Sequence, residues 1–155
     1  MTPRISIVMP CYNGEQHVEN SIASVLAQSF ADWELIVVDD GSTDASAERI
    51  ARFADARIRV FRQANAGVSA ARNRALAEVK SGLVAFLDAD DSWEPDFLAQ
   101  MHAALEAHPR AVLAYCGWQN RGLPGERGEP FVPPDYENAA KLESLLINCR
   151  WPIHA

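Results

Sequence analysis

The sequence LVAFLDADD at residues 83–91 indicates a parallel α/β sheet with a ligand site at one edge. Five apolar residues follow Gly82 and end at a carboxylate cluster, the pattern of a buried strand in a parallel sheet. Ligands of open α/β sheets bind beyond the carboxyl ends of the strands, where Asp88, Asp90 and Asp91 would lie. Carboxylates this close repel one another unless a cation lies among them, and hard oxygen ligands suit Mg²⁺ or Mn²⁺. The stretch therefore predicts a metal site that can hold a diphosphate.

Strand-like and helix-like patterns alternate on both sides of this stretch. Alternation with short turns predicts an α/β fold, a mostly parallel sheet with helices on both faces. Asn13 is expected to cap the first helix, and Ser42, Thr43 and Asp44 the second. The predicted strands are residues 5–9, 35–38, 58–61 (near the sheet edge), 83–87 and 111–115. The predicted helices follow Asn13, lie around 47–51, span 67–80, begin near Pro95 and span 137–148, with a long loop at 117–135.

The composition is typical of one soluble globular domain, which we expect to span residues 1–155. The chain is 48% hydrophobic and 23% charged, and it is long enough to bury a sizeable core. Its net charge is −7 and its pI is about 5.0, with no block of lysine or arginine. These values exclude strong electrostatic binding to nucleic acid. An acidic protein repels a phosphate ligand unless positive charge lies close to the binding site, and a divalent ion would supply that charge.

The cysteines and the chain start bear on location. Cys11, Cys116 and Cys149 form neither a zinc pattern nor a disulfide framework, which predicts a reducing compartment. Residues 1–4 lead directly into a strand pattern without a secretory signal, and no apolar run approaches the ~18 residues of a membrane span. We expect a cytoplasmic protein, with a peripheral place at the inner face of the membrane as the alternative.

Four motifs lie at the expected strand ends and at the third helix: IVMPCYN at 7–13, VVDDGSTD at 37–44, NAGVSAARN at 65–73 and FLDADD at 86–91. With these motifs in this order, roughly the first 120 residues resemble the inverting family 2 glycosyltransferases, which have the GT-A (Rossmann-like) fold. Four motifs together are far more specific than any one of them. The resemblance implies a UDP-, TDP- or GDP-linked sugar as donor, and a glycan or lipid-linked acceptor as in polysaccharide biosynthesis.

The resemblance assigns the base end of the donor to the first two motifs. Pro10 and Tyr12 would surround the base, Tyr12 by stacking, and Asn13 would be a polar anchor. The alternative for Tyr12 is a surface residue that closes the first turn. Asp40 would accept a hydrogen bond from the imide N–H of uracil, thymine or guanine, a donor that adenine lacks. Asp39 has a stronger structural alternative, because one carboxylate of such a pair often caps or braces the loop.

The resemblance assigns the metal and the ribose to the aspartate cluster, a DXD motif. Asp91 would bind Mn²⁺ or Mg²⁺ directly, and Asp90 would hold the ribose hydroxyls and share the cation. Asp88 would orient the other two. Arg72 would meet the diphosphate or pair with the aspartates. The alternatives are a solvated acidic turn that caps the helix after Pro95, and for Arg72 a surface salt bridge.

The implied reaction is one inverting displacement at the anomeric carbon, with a metal stabilising the leaving nucleoside diphosphate and a carboxylate general base. In the family the base belongs to an acidic motif beyond the residues that match 151–155. We therefore expect this chain to be a donor half, truncated before the acceptor half, with the base beyond Ala155. Four carboxylates lie in or beside the long loop, and none of them matches the base motif. They are Glu126, Glu129, Asp135 and Glu137.

Other functional classes remain open at this point. A non-catalytic nucleotide-sugar-binding module, or an inactive fragment without the base, would bind nucleotide with metal but transfer nothing. A phosphatase-type hydrolase would carry its Asp-x-Asp motif on the first strand and need a later lysine, and the sequence after the cluster offers only Lys141. A nucleotidyltransferase would show a Gly-rich, Arg-containing loop after the first strand. Apolar residues near the end of the sequence favour a homo-oligomer; these are Leu142, Leu145, Leu146 and Trp151.

Overall fold

The computed structural model describes residues 2–119, 130 and 132. The chain divides into two compact units, Met1–Pro109 and Arg110–Ala155. Within the described residues, no helix is long and apolar enough to cross a membrane. The first unit contains, in order, β1 (Ile5–Cys11), α1 (Val18–Leu26), β2 (Trp33–Asp39), α2 (Ser46–Ile50), β3 (Ile58–Arg62), α3 (Val68–Leu76), β4 (Leu83–Phe86) and α4 (Phe97–Ala107).

The four strands form one parallel sheet in the order β3-β2-β1-β4. Cys11 of β1 pairs with Asp39 of β2, and Asp39 pairs with Arg62 of β3, so these strands end at one level. The alternation of strands and helices confirms the predicted α/β fold, and β3 lies at an edge as its alternating pattern predicted. The topology brings the segments after β1, β2 and β4 to the same edge.

Helices cover both faces of the sheet, as predicted. On one face, Ile7 and Met9 of β1 pack with Ile22 of α1 and Leu98 of α4. On the other face, the alternate strand residues pack against the small residues of α3. This second cluster consists of Val8, Ile36, Val38, Ala71 and Ala75. Because side chains alternate between the two faces of a strand, β1 and β2 are buried along their whole length.

β1 is longer than predicted, because it continues through Pro10 to Cys11. The carbonyl of Val8 accepts a bond from the N–H of Leu87, so the backbone at position 8 faces β4. Position 10, two residues on, faces the same side, where β4 has already ended at Phe86. The missing N–H of proline therefore interrupts no ladder hydrogen bond, which makes proline tolerable in this central strand.

The helix caps predicted at Asn13, Ser42 and Thr43 are wrong. α1 begins at Val18 rather than just after Asn13, α2 begins at Ser46, and the residue before each helix makes no side-chain cap hydrogen bond. The loop side chains bond across to a second loop, and of the predicted caps Asp44 also accepts from the N–H of Ser46, at 3.0 Å. α3 spans fewer residues than the predicted 67–80, and its residues Val68 and Leu76 are exposed. The helix packs on the sheet through its small residues, so its larger apolar residues face outward.

Two other strand predictions need correction. β4 was expected to be buried on both faces, but Phe86 is 52% exposed because β4 lies at an edge of the described sheet and α3 covers β1 and β2. The predicted strand at 111–115 is absent: these described residues form no strand, and Val112 is 99% exposed. A short apolar run is not stable as a strand without a hydrogen-bonded neighbour. The helix predicted at 137–148 and nearly all of the predicted loop lie outside the described residues. The single domain over 1–155 stays a prediction.

Candidate functional site

A cleft of about 460 Å³ opens at the carboxyl edge of the sheet. It lies where β1, β2 and β4 end, at the edge that the sequence predicted. Its walls bring together six of the predicted site residues, namely Pro10, Tyr12, Asn13, Asp40, Asp88 and Asp90. The cleft is also lined by residues that were not predicted to belong to the site, namely Cys11, Gly14, Asn65, Gly67, Val68, Ala71 and Ala89.

The segment after β1 forms one wall of the cleft. Pro10 is buried, whereas Tyr12 is 53% exposed and presents an accessible ring at the cleft. Asn13 adopts a left-handed backbone conformation with φ of 49°. Its N–H donates to Ser42 Oγ at 3.0 Å, and its Oδ1 accepts from the N–H of Thr43 at 2.9 Å. Asn13 therefore lines the cleft and also braces the loop after β2.

Further bonds join these two loops. The N–H of Gly14 donates to Ser46 Oγ at 2.8 Å, and the N–H of Glu15 donates to Asp44 Oδ2 at 3.0 Å. In return, Glu15 Oε2 accepts from the N–H of Ala45 at 3.0 Å. The polar residues that sequence patterns suggest as helix caps thus hold the cleft wall in place.

Asp40 is buried at the base of the cleft with three donors of its own chain around it. Its carboxylate accepts from Gln63 Nε2 at 2.7 Å, from the N–H of Ala66 at 3.0 Å and from the N–H of Gly67 at 2.8 Å. Burial alone would raise the pKa of Asp40, but these hydrogen bonds outweigh it and lower the pKa below its ordinary value. The N–H of Ala66 also lies 3.2 Å from the second carboxylate oxygen, so this donor is shared between both oxygens.

The lowered pKa of Asp40 predicts a pH-dependent effect of Asp40→Asn. We expect the variant to be less stable at neutral pH by about 1–3 kcal/mol, since the new amide cannot satisfy all three donors. A depressed folded-state pKa means that the unfolded chain takes up the proton first as pH falls. The contribution of Asp40 is thus complete above a pH of about 3.9 and is lost below it. Thermal unfolding of both proteins from pH 7 to pH 3 should show the difference in their stability shrinking at the acid end. A difference that stays constant would contradict the lowered pKa of Asp40.

Asp39 supports the loop, as the sequence predicted. Its side chain is buried, and Oδ1 accepts from the N–H of Ser42 at 2.9 Å. Its Oδ2 lies 3.3 Å from Arg62 Nε in an ion pair whose geometry falls short of a hydrogen bond. Asp39 does not line the cleft, so it acts on the site through the loop that it holds.

Arg72 pairs with the first carboxylate of the acidic cluster. Its Nη2 lies 2.6 Å from Asp88 Oδ1 and 2.9 Å from Oδ2. The structure therefore shows Arg72 paired with an aspartate, in an ion pair whose side chains are 36% and 43% exposed. The pair joins α3 to the segment after β4 and fits the orienting role suggested for Asp88.

Asp90 and Asp91 are both exposed at the carboxyl edge. The N–H of Asp91 donates to the carbonyl of Asp88 at 3.1 Å, which makes a turn, and Asp90 lines the cleft. No group of three metal-binding side chains is found among the described residues. Mg²⁺ is usually bound by one or two carboxylates together with substrate phosphates, rather than by a complete protein cage. Two adjacent exposed carboxylates beside a cleft fit a cation of that kind.

The segment after β3 also contributes to the cleft, a role not predicted from the sequence. Asn65 and Gly67 line the cleft because β3 also ends at this edge, and Gly67 supplies one of the donors to Asp40. Both belong to the 65–73 motif and follow the predicted strand 58–61 by four and six residues, and that position could have identified them. Cys11 also lines the cleft, and burial raises the pKa of its thiol. That thiol is therefore protonated at neutral pH.

The family model described as Glycosyl transferase family 2 matches residues 6–149 of this chain. Among curated proteins, TuaG of Bacillus subtilis is 41% identical over 153 residues, covering 95% of this chain and 60% of TuaG. The UDP-Glc:alpha-D-GlcNAc-diphosphoundecaprenol beta-1,3-glucosyltransferase WfgD of Escherichia coli is 44% identical over 149 residues, covering 94% of this chain and 56% of WfgD. The chain thus spans less than two thirds of the length of these relatives.

Solved structures have the same fold. TarS of S. aureus in complex with UDP superposes with a TM-score of 0.68 at 24% identity, covering 87% of this chain and 40% of the TarS chain. The mannosyltransferase PcManGT of Pyrobaculum calidifontis, in complex with GDP-Man and Mn²⁺, superposes with a TM-score of 0.62 at 26% identity. That match covers 68% of this chain and 33% of PcManGT. The fold is that of the GT-A glycosyltransferases, and this chain corresponds to part of those larger structures.

Proposed function

This chain belongs to glycosyl transferase family 2, and we propose that its cleft binds the nucleoside diphosphate of a sugar donor. The observation that carries the proposal is the meeting of Tyr12, Asp40 and Asp90 in one cleft at the carboxyl edge of the sheet. Together they offer a ring face, a buried acceptor and an exposed carboxylate. These groups match the base, its imide N–H and the ribose or cation of such a donor.

The base lies at the end of the cleft formed by Pro10, Tyr12 and Asp40. The exposed ring of Tyr12 stacks on the base, and stacking of this kind contributes about 1–3 kcal/mol per base in single-stranded nucleic acid complexes. Asp40 accepts the imide N–H, and its lowered pKa keeps it ionised at neutral pH. Uracil, thymine and guanine have that donor and adenine does not.

The diphosphate lies toward the acidic cluster, where Asp90 and Asp91 would hold Mn²⁺ or Mg²⁺. A cation bound there would supply positive charge to stabilise the departing nucleoside diphosphate. Asp90 also accepts from the ribose hydroxyls, and Arg72 holds Asp88 in position beside them. The complex of PcManGT with GDP-Man and Mn²⁺ supports a nucleotide-sugar donor with a metal.

The whole protein would transfer the sugar to an acceptor hydroxyl with inversion. The acceptor oxygen attacks the anomeric carbon as the bond to the diphosphate breaks, and a carboxylate general base takes the acceptor proton. We place that base outside the donor cleft, in the part of the relatives' length that this chain does not span. The acceptor is a glycan or a lipid-linked glycan, and the reaction takes place in the cytoplasm or at the inner face of the membrane.

A thermal-shift panel tests the proposal directly. The protein is heated with UDP, TDP, GDP or ADP, each with Mn²⁺ and with a chelator. A ligand at ~100 times its dissociation constant adds about 2.7 kcal/mol to stability, which shifts the melting temperature by several degrees. We expect a shift with UDP, TDP or GDP that the chelator removes. A shift with ADP as large as the others would refute the role of Asp40, and no shift at all would contradict a donor site in this chain.

A further inference from the structure

Side chains of α1 and of the residues just after it contact the backbone of the acidic loop, residues 88–94. Ser21 Oγ donates to the carbonyl of Ala89 at 2.8 Å. One turn later, Ser24 Oγ accepts from the N–H of Trp93 at 3.2 Å. Residues three apart lie on one face of a helix, so this face of α1 follows the loop.

Gln28, just beyond the end of α1, completes the same row. Its Nε2 donates to the carbonyl of Glu94 at 2.8 Å, and its Oε1 accepts from the N–H of Leu98 at 2.9 Å. Ser21 and Gln28 are almost fully buried, with 1% and 7% of their surface exposed. We call Ser21, Ser24 and Gln28 the α1 clamp.

The α1 clamp holds the acidic loop on both sides of its two exposed carboxylates. On the N-terminal side of Asp90, the carbonyl of Ala89 accepts a hydrogen bond from Ser21, and the Ala89 side chain packs in the hydrophobic core. Trp93 is bonded by Ser24 after Asp91. A site whose ligands are already held in place loses less conformational entropy on binding than one that must order a loop.

From this geometry we infer that the α1 clamp positions Asp90 and Asp91 for the divalent cation, with Ser21 and Gln28 as positioning residues. The inference rests on the proposed function, because it requires that those carboxylates bind the metal. Removal of groups that orient metal ligands typically lowers metal affinity about 10–100-fold. The hydrogen bonds of the α1 clamp to the loop all involve backbone atoms of the loop, and none of its residues lines the base end of the cleft. Its loss should therefore leave the binding of the nucleobase unchanged.

The test compares Ser21→Ala and Gln28→Met with the unmodified protein. Calorimetry measures the affinity for whichever of UDP, TDP and GDP binds, with Mn²⁺, and for the matching nucleoside without metal. Hydrogen exchange reports the opening of residues 88–94 without any ligand. We expect about tenfold weaker metal-dependent binding, unchanged nucleoside binding and faster exchange in the loop.

Ser6→Ala is the matched control. Ser6 is equally buried, and its hydroxyl donates to Glu34 at 2.6 Å near the start of β1, away from the acidic loop. This variant should be less stable yet keep metal-dependent affinity and loop exchange unchanged.

Each outcome bears on one of the two proposals. If the unmodified protein shows no metal-dependent nucleotide binding, the proposed function fails and the metal role of the clamp fails with it. If the unmodified protein binds and both folded variants bind equally well, the inference alone is overturned. Unchanged exchange in residues 88–94 in both variants also overturns the inference, independently of any ligand.

Discussion

Asp91→Asn is expected to abolish metal-dependent nucleotide binding and to leave the fold intact. The substitution keeps the size of the side chain but removes the negative charge that a hard cation requires. The loss should exceed the 10–100-fold typical of groups that only orient a metal ligand. Because Asp91 is exposed, the substitution leaves the buried core untouched. Calorimetric titration with UDP, TDP and GDP, with Mn²⁺ and with chelator, measures the loss.

Asp32→Asn is the matched control for this prediction. Asp32 is exposed and directly precedes β2, at the opposite end of the sheet from the cleft. The Asp32→Asn substitution makes the same change in net charge but leaves the acidic cluster unaltered, so metal-dependent nucleotide binding should be retained. Equal affinity of the Asp91 variant and the unmodified protein would remove Asp91 from the metal site. An equal loss in both variants would indicate a general effect of charge.

Gly41→Ala is expected to destabilise the protein and to deform the base end of the cleft. Gly41 has φ of +74°, and an added Cβ would lie 2.7 Å from the backbone nitrogen of Asn65. The left-handed conformation costs roughly 1–2 kcal/mol for a residue with a Cβ, and forced overpacking roughly 1–3 kcal/mol more. The melting temperature should fall by roughly 5–15 °C. Nucleotide affinity should fall too, because Asp40 precedes Gly41 and Asn65 lines the cleft.

Substitutions at two other glycines distinguish the cost of backbone strain at positive φ from the cost of a steric clash. Gly67 also has a positive φ of +89°, but an added Cβ would meet no atom within 4 Å. Gly82 has open space around it and no positive φ. Thermal unfolding should therefore rank the variants, with Gly82→Ala almost neutral, Gly67→Ala intermediate and Gly41→Ala the least stable. Equal stability of the Gly41 and Gly67 variants would mean that the contact with Asn65 relaxes at no cost.

Local patterns in the chain were enough for the α/β class, the parallel sheet and the edge that carries the site. Apolar runs of four or five residues predict buried strands, because each residue of such a run needs cover on one face of the sheet or the other. Polar residues placed directly after those runs must meet at one edge when the strands are parallel. This is why Tyr12, Asp40 and Asp90 could be assigned to one site before their contacts were known.

Tertiary contacts decided what each side chain does within that site. Asn13, Ser42 and Asp44 look like helix caps in sequence, yet they join two loops about thirty residues apart. The donors to Asp40 come from the segment after β3, and the acidic loop is held by α1. Hydrophobic periodicity reports only which face of an element is buried. Which polar groups meet across the sheet depends on strand order and register, and these follow from the packing of the whole chain.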